Sequence, residues 1–252
     1  MTDRNRELDG KVAIVTGSAR NIGQATAEEL ARAGAAVTVN AVNDQEACEA
    51  VAGGILDAGG KAIPVMADVT DQADVDRLVE ATLKAFGAID ILILNAAIRI
   101  DVPFLERNFD NWQRAMAVAV DGSFRLSLAC VPHMIERGGG AIVGMHGMQS
   151  YTAAFGKNPA VKDAQAGMLR GMARDLGEHN ITCNIAVVGP FDTDRASSSG
   201  ELAVPKLSDN IPLGRRGVPQ DMANCVRFLV GPFATYISGQ TIHLNGAYHM
   251  PH

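Results

Sequence analysis

Lys11 to Gly23 reads KVAIVTGSARNIG, and the order of residue types in this stretch decides the fold. Four apolar residues, Val12 to Val15, run into Gly17, a polar segment and Gly23. That order predicts a short buried strand, a tight turn and the first turn of a helix. The backbone N–H groups at such a helix start have no partners of their own, so a phosphate can sit on them. A glycine turn also occurs in other strand–helix units, and the rest of the chain must discriminate.

Outward from the turn, Ile22, Ala25, Leu30 and Ala33 give a helical face that Gly34 stops. A strand is expected at Ala36 to Asn40, a helix near Asp44 to Ala58, a strand at Lys61 to Met66 and a helix from Asp71. In that helix Val75, Leu78, Val79, Leu83 and Phe86 form a core-facing stripe. Ile89 to Asn95 is a short apolar run suited to a strand covered on both faces. A long helix from about Asn108 to Arg137, a strand Ala141 to Met145, a helix Pro159 to Gly177 and a strand Thr182 to Val188 continue the alternation. Phe191 to Arg216, with RASSSG and two prolines, breaks it and reads as a mobile substrate loop. A helix Pro219 to Val230 and a strand Gln240 to Leu244 end the pattern. About seven strands alternating with helices predict one α/β domain over residues 1–252, a Rossmann-like doubly wound parallel sheet.

A net charge of -6 offers no field for a nucleic-acid backbone, so nucleic acid is not expected as a partner. The charged start MTDRNRELDG has no apolar centre, and no run reaches the ~18 apolar residues of a membrane span. A soluble, cytoplasmic chain without a membrane partner is the expectation. Cys48, Cys130, Cys183 and Cys225 are far apart, which suits reduced and mostly buried thiols. The six histidines lack ligand spacing, and no metal is implied.

With these elements in place, the chain resembles the short-chain dehydrogenase/reductase family along its whole length. TGSARNIG at Thr16 to Gly23 is similar to the family's glycine turn, Asp68-Val69 to its adenine-contacting pair, and LNAAI at Leu94 to Ile98 to its sheet-end motif. PLGRRGVPQDMANCVRFL, ISGQ and HLNGA resemble its C-terminal part. Asn21, Ala97 and Ala247 stand where glycines are usual, and Asn tolerates left-handed backbone best of these. The resemblance implies a cofactor groove of Gly17, Ser18, Arg20, Asn21, Ile22, Gly23, Asp68, Val69, Asn95, Lys162, Gly189 and Thr193. Asn40-Ala41-Val42 offers no carboxylate for a ribose 2′-hydroxyl, whereas Arg20 can pair with a 2′-phosphate; NADP(H) is favoured over NAD(H).

In that family a Tyr four residues before a Lys donates the proton, a Ser holds the substrate oxygen and an Asn supports a water relay. Alignment from Asn184 backwards puts Lys162 at the lysine position and Asn158 at the tyrosine position. Alignment from Trp112 forwards puts Ala119 at the asparagine position, and the serine position falls on Gly147, or on His146 if the register slips by one. With only Lys162 kept, the first expectation is an inactive or regulatory subunit, a homo-oligomer (dimer or tetramer) or a hetero-oligomer beside an active family member. Ala164, Ala166, Gly167 and Gly171 would allow close helix contact there, or tight packing within one subunit. The alternative is an NAD(P)-dependent oxidoreductase on a small carbonyl or alcohol, with a rebuilt site using His146 or Tyr151 together with Lys162. A lyase or hydratase step in the same groove has no supporting motif.

Overall fold

The apolar runs become the strands of one sheet in the computed structural model, which describes residues 6–98, 104–152, 159–194 and 210–250. In chain order the strands are β1 (Val12–Val15), β2 (Ala36–Ala41), β3 (Lys61–Met66), β4 (Ile91–Leu94), β5 (Gly140–Gly147), β6 (Ile181–Val188) and β7 (Thr241–Leu244). The helices are α1 (Asn21–Arg32), α2 (Gln45–Asp57), α3 (Gln72–Phe86), α4 (Phe109–Met116), α5 (Gly122–Glu136), α6 (Gln149–Thr152), α7 (Pro159–Asp175) and α8 (Pro219–Val230). All strand pairs are parallel, in the order β3-β2-β1-β4-β5-β6-β7. The chain therefore has the expected seven-stranded, single-domain Rossmann-like fold.

Local chemistry sets the elements. β1, β2 and β4 are buried at every position because helices cover both faces. Along β1 the pleat sends Ala13 and Val15 into the core with Leu30, Val37 and Ile91, and Ile14 into the other core with Leu78, Leu92 and Ile142. Asp44 and Asp71 cap α2 and α3 by accepting from Ala47 N and Asp74 N, and Gly87 at φ 75° closes α3. On α1, buried Glu29 accepts from Arg32 and from Arg227 of α8, which also grips Glu7 at 2.6 Å.

Two expectations need correction. The long helix is interrupted: Ala117–Asp121 between α4 and α5 forms a π turn, a local widening frequent at functional sites. The 28-residue span Phe109–Glu136 is also long and apolar enough to cross a membrane, contrary to the reading that no such stretch exists. Part of its apolar content, Leu126, Cys130 and Met134, lies buried against the sheet, and part, Phe109, Phe124 and Leu128, is exposed. The tyrosine-position residue Asn158 and the RASSSG stretch lie outside the described residues, so the expected substrate loop is described only at its two ends.

Candidate functional site

Strand order reverses direction between β1 and β4, the point where doubly wound sheets hold ligands at their carboxyl ends. A cleft of about 1110 Å³ opens there. Gly17 turns the chain at φ 60°, and Asn21 follows at φ 53°, in the left-handed region that asparagine tolerates. A Cβ on Gly23 would collide with Gly17 O and the Asn95 amide, so α1 can start this close to the sheet only with glycine. Asn95 Nδ2 donates to Thr16 O and Gly17 O, both at 2.9 Å, and Thr16 Oγ1 accepts from Asn95 N at 3.0 Å. These bonds hold the turn rigid before any ligand arrives.

Of the predicted groove residues, Gly17, Arg20, Asn21, Ile22, Gly23, Asp68, Val69, Asn95, Lys162, Gly189 and Thr193 line this cleft. Ser18 does not: it is fully buried, and its hydroxyl donates to Val15 O at 2.6 Å and accepts from Asn40 N at 3.0 Å. Asn40 is spent inside the fold as well, its amide donating to Val65 O and Ala67 O. Asp44 stands on the same wall and caps α2. Asp68 Oδ1 accepts from the N–H and hydroxyl of Thr70. Gly189 has no room for a side chain, because a Cβ would press on the Asn245 backbone at 2.6 Å.

At the opposite end, Lys162, His146, Gly147 and Ala119 come together from α7, the end of β5 and the π turn. Lys162 Nζ donates to Met145 O at 2.6 Å and to Gln165 Oε1 at 3.2 Å. Gln165 is buried and donates onward to Ser123 Oγ at 2.8 Å; Ser123 donates to Ala119 O at 2.7 Å. A buried polar chain thus runs from the lysine to the π turn. Sequence reasoning missed Gln165, although a glutamine between Val161 and Leu169 on an apolar stripe was a readable signal.

His146 is 3% exposed. Its Nδ1 lies 2.8 Å from Gly147 O, and its Nε2 lies 3.2 Å from Asp163 Oδ1 and 3.4 Å from Ser150 Oγ. Burial first, and then the charge of Lys162, hold its pKa below the usual 6.5, outweighing Asp163. A neutral ring carries one N–H and satisfies Gly147 O, with Ser150 donating to Nε2; only the imidazolium donates to Gly147 O and Asp163 together. Asp163, more than half exposed, leads from the ring to solvent. Tyr151 lies outside the cleft lining, packed edge-on to His243 at 4.4 Å and near His146 and His249. Burial raises its phenol pKa, so it stays protonated at neutral pH. Tyr248, near the C-terminal end, does line the cleft. Among the described residues no cluster could hold a metal.

A family model described as enoyl-(acyl carrier protein) reductase matches residues 17–249. The 3-oxoacyl-(acyl-carrier-protein) reductase FabG of Aquifex aeolicus (strain VF5) is 33% identical, across 95% of this chain and 98% of its own. The FabG of Escherichia coli (strain K12) is also 33% identical, across 96% and 99%. A 7α-hydroxysteroid dehydrogenase complexed with NADH and 7-oxo glycochenodeoxycholic acid superposes with a TM-score of 0.90 at 32% identity, covering 98% of this chain and 97% of that one. A blue fluorescent protein from a metagenomic library in complex with NADPH superposes at 0.88 with 33% identity, covering 97% and 100%.

Full-length similarity to named reductases overturns the expectation of an inactive or regulatory subunit. Physically, the four family positions are not the whole site: polar groups from neighbouring positions, His146, Asp163 and Gln165, gather beside Lys162. The turn, the sheet and the matched length place the chain in the short-chain dehydrogenase/reductase family.

Proposed function

We propose that the chain is an NADP(H)-dependent oxidoreductase that interconverts a small carbonyl compound and its alcohol, with 3-oxoacyl thioesters the class suggested by its relatives. The observation that carries this reading is the meeting of Lys162 and the His146–Asp163 pair at the end of β5, in one cleft with the glycine turn. A nicotinamide bound along that cleft supplies the hydride. The chain's residues supply the rest: Lys162, fixed by Met145 O and Gln165, places a positive charge beside the reacting oxygen. His146 supplies the proton that neutralises that oxygen on reduction through Nε2, which gives up its 3.2 Å contact with Asp163 to do so, and takes the proton back on oxidation. Tyr151 braces His146 from the side.

Preference for the 2′-phosphate rests on exposed Arg20 at the lip and on a wall whose acids, Asp44 and Asp68, accept hydrogen bonds from the fold, Asp44 by capping α2 and Asp68 from Thr70. Exposed Phe109, Phe124, Leu128 and Ile135 along α4 and α5 support a homo-oligomer. Gly167 and Gly171 face open space on α7 and suit the same contact, whereas Ala166 packs inside the subunit. The test is His146→Ala: turnover of NADPH with a 3-oxoacyl thioester is lost while NADPH affinity is unchanged. Unaltered turnover would reject the role of His146.

A further inference from the structure

The end of β5 carries a second feature that no role above uses. Gly147 has no side chain, yet the space beside it is filled: a Cβ built there would collide with Gln149 Oε1 and lie 3.9 Å from Gln149 Nε2. Gln149 follows β5 after Met148, opening α6, and folds its carboxamide back over the strand end. Both residues line the cleft beside His146 and Lys162. Within the described residues the Gln149 amide makes no hydrogen bond, unlike the amides of Gln165, Asn40 and Asn95, each committed to the fold. A partly exposed, uncommitted donor at the carboxyl edge of a parallel sheet stands where such folds bind their ligands.

We infer that Gln149 is a substrate-binding residue, its carboxamide filling the space beside Gly147 through Oε1 and leaving Nε2–H to donate to the carbonyl oxygen of the ketone. This rests on the oxidoreductase reading for its substrate class. A neutral carboxamide suits the task, since it donates without titrating and gains strength as charge builds on the oxygen. Gly147 and Gln149 then form one unit: the glycine is required because the glutamine occupies its space.

The test uses the full chain with S-acetoacetyl-N-acetylcysteamine labelled with carbon-13 at the ketone. In the ternary complex with NADP+ the bound ketone signal moves downfield, reporting the hydrogen bond even without turnover. Gln149→Ala should abolish that displacement and lower kcat/KM about 100-fold, the usual loss on removing one such donor, with NADPH affinity unchanged. Adding Gly147→Ser to Gln149→Ala should restore much of both, because the hydroxyl enters the vacated space. A displacement and rate that survive Gln149→Ala, or no displacement in the wild-type complex, would overturn the inference. A displacement lost in Gln149→Ala without any NADPH consumption would support Gln149 and reject the oxidoreductase reading.

Discussion

Ala97 and Ala247 both stand at glycine positions, and the backbone separates them. Ala247 sits at φ 66°, whereas Ala97 keeps an ordinary negative φ. A left-handed non-glycine residue costs roughly 1–2 kcal/mol, so Ala247→Gly should raise stability by about 1 kcal/mol in urea denaturation, and Ala97→Gly should not. His146 and His243 give the pH prediction. Burial comes first among the causes that hold both below 6.5, joined by Lys162 at His146 and by His249 at His243. Each binds fewer protons folded than unfolded between its folded value and 6.5. Stability therefore falls as pH drops through that window, and a thermal-melt series against pH should show the loss, reduced in His146→Asn. The reductive rate has the opposite sign, rising as pH falls and His146 fills with its proton.

At the scale of elements, the helix α7 carries the argument through Gln165. Gln165→Leu keeps the volume of a buried position but removes one of the acceptors of Lys162. The expected result is a folded chain with kcat lowered about 10-fold, the equivalent of one hydrogen bond to a charged group. Gln165→Glu should recover part of it, since a carboxylate still accepts from the lysine but cannot donate to Ser123; equal rates for all three would make Gln165 structural only. The α1–α8 clamp makes a separate prediction. Arg227→Met leaves Glu29, 3% exposed, to Arg32 and Gln220, takes the Arg227 guanidinium from Glu7 as well, and should cost about 1.5–3 kcal/mol in urea denaturation. The strands were readable because β-branched and apolar runs of buried parallel strands have few alternative readings: β3 and α8 took the bounds predicted for them. The π turn was not, because one extra residue per turn leaves no mark on an apolar stripe.

For the whole molecule, fold and groove were legible because they depend on local chemistry: a glycine turn, Asn95 at a strand end, a glycine against Asn245. Function was misread because it depends on contacts between distant segments. His146 meets Asp163 across 17 residues and Gln165 meets Ser123 across 42, and no spacing rule pairs them. A site scored position by position looks empty; scored by what fills the space, it holds a histidine, a lysine and two amides. The proposed homo-oligomer belongs to this scale too. Phe124→Glu together with Leu128→Glu should shift the sedimentation coefficient toward a monomer, and an unchanged value would place the contact elsewhere.

The most direct measurement is the loss of NADPH absorbance when the purified chain meets S-acetoacetyl-N-acetylcysteamine, run beside His146→Ala. The account predicts substrate-dependent consumption by the wild type, faster than with NADH, and none by the variant, although both bind NADPH. A wild-type chain that binds NADPH tightly and consumes none with this thioester, or a variant as fast as the wild type, would contradict it.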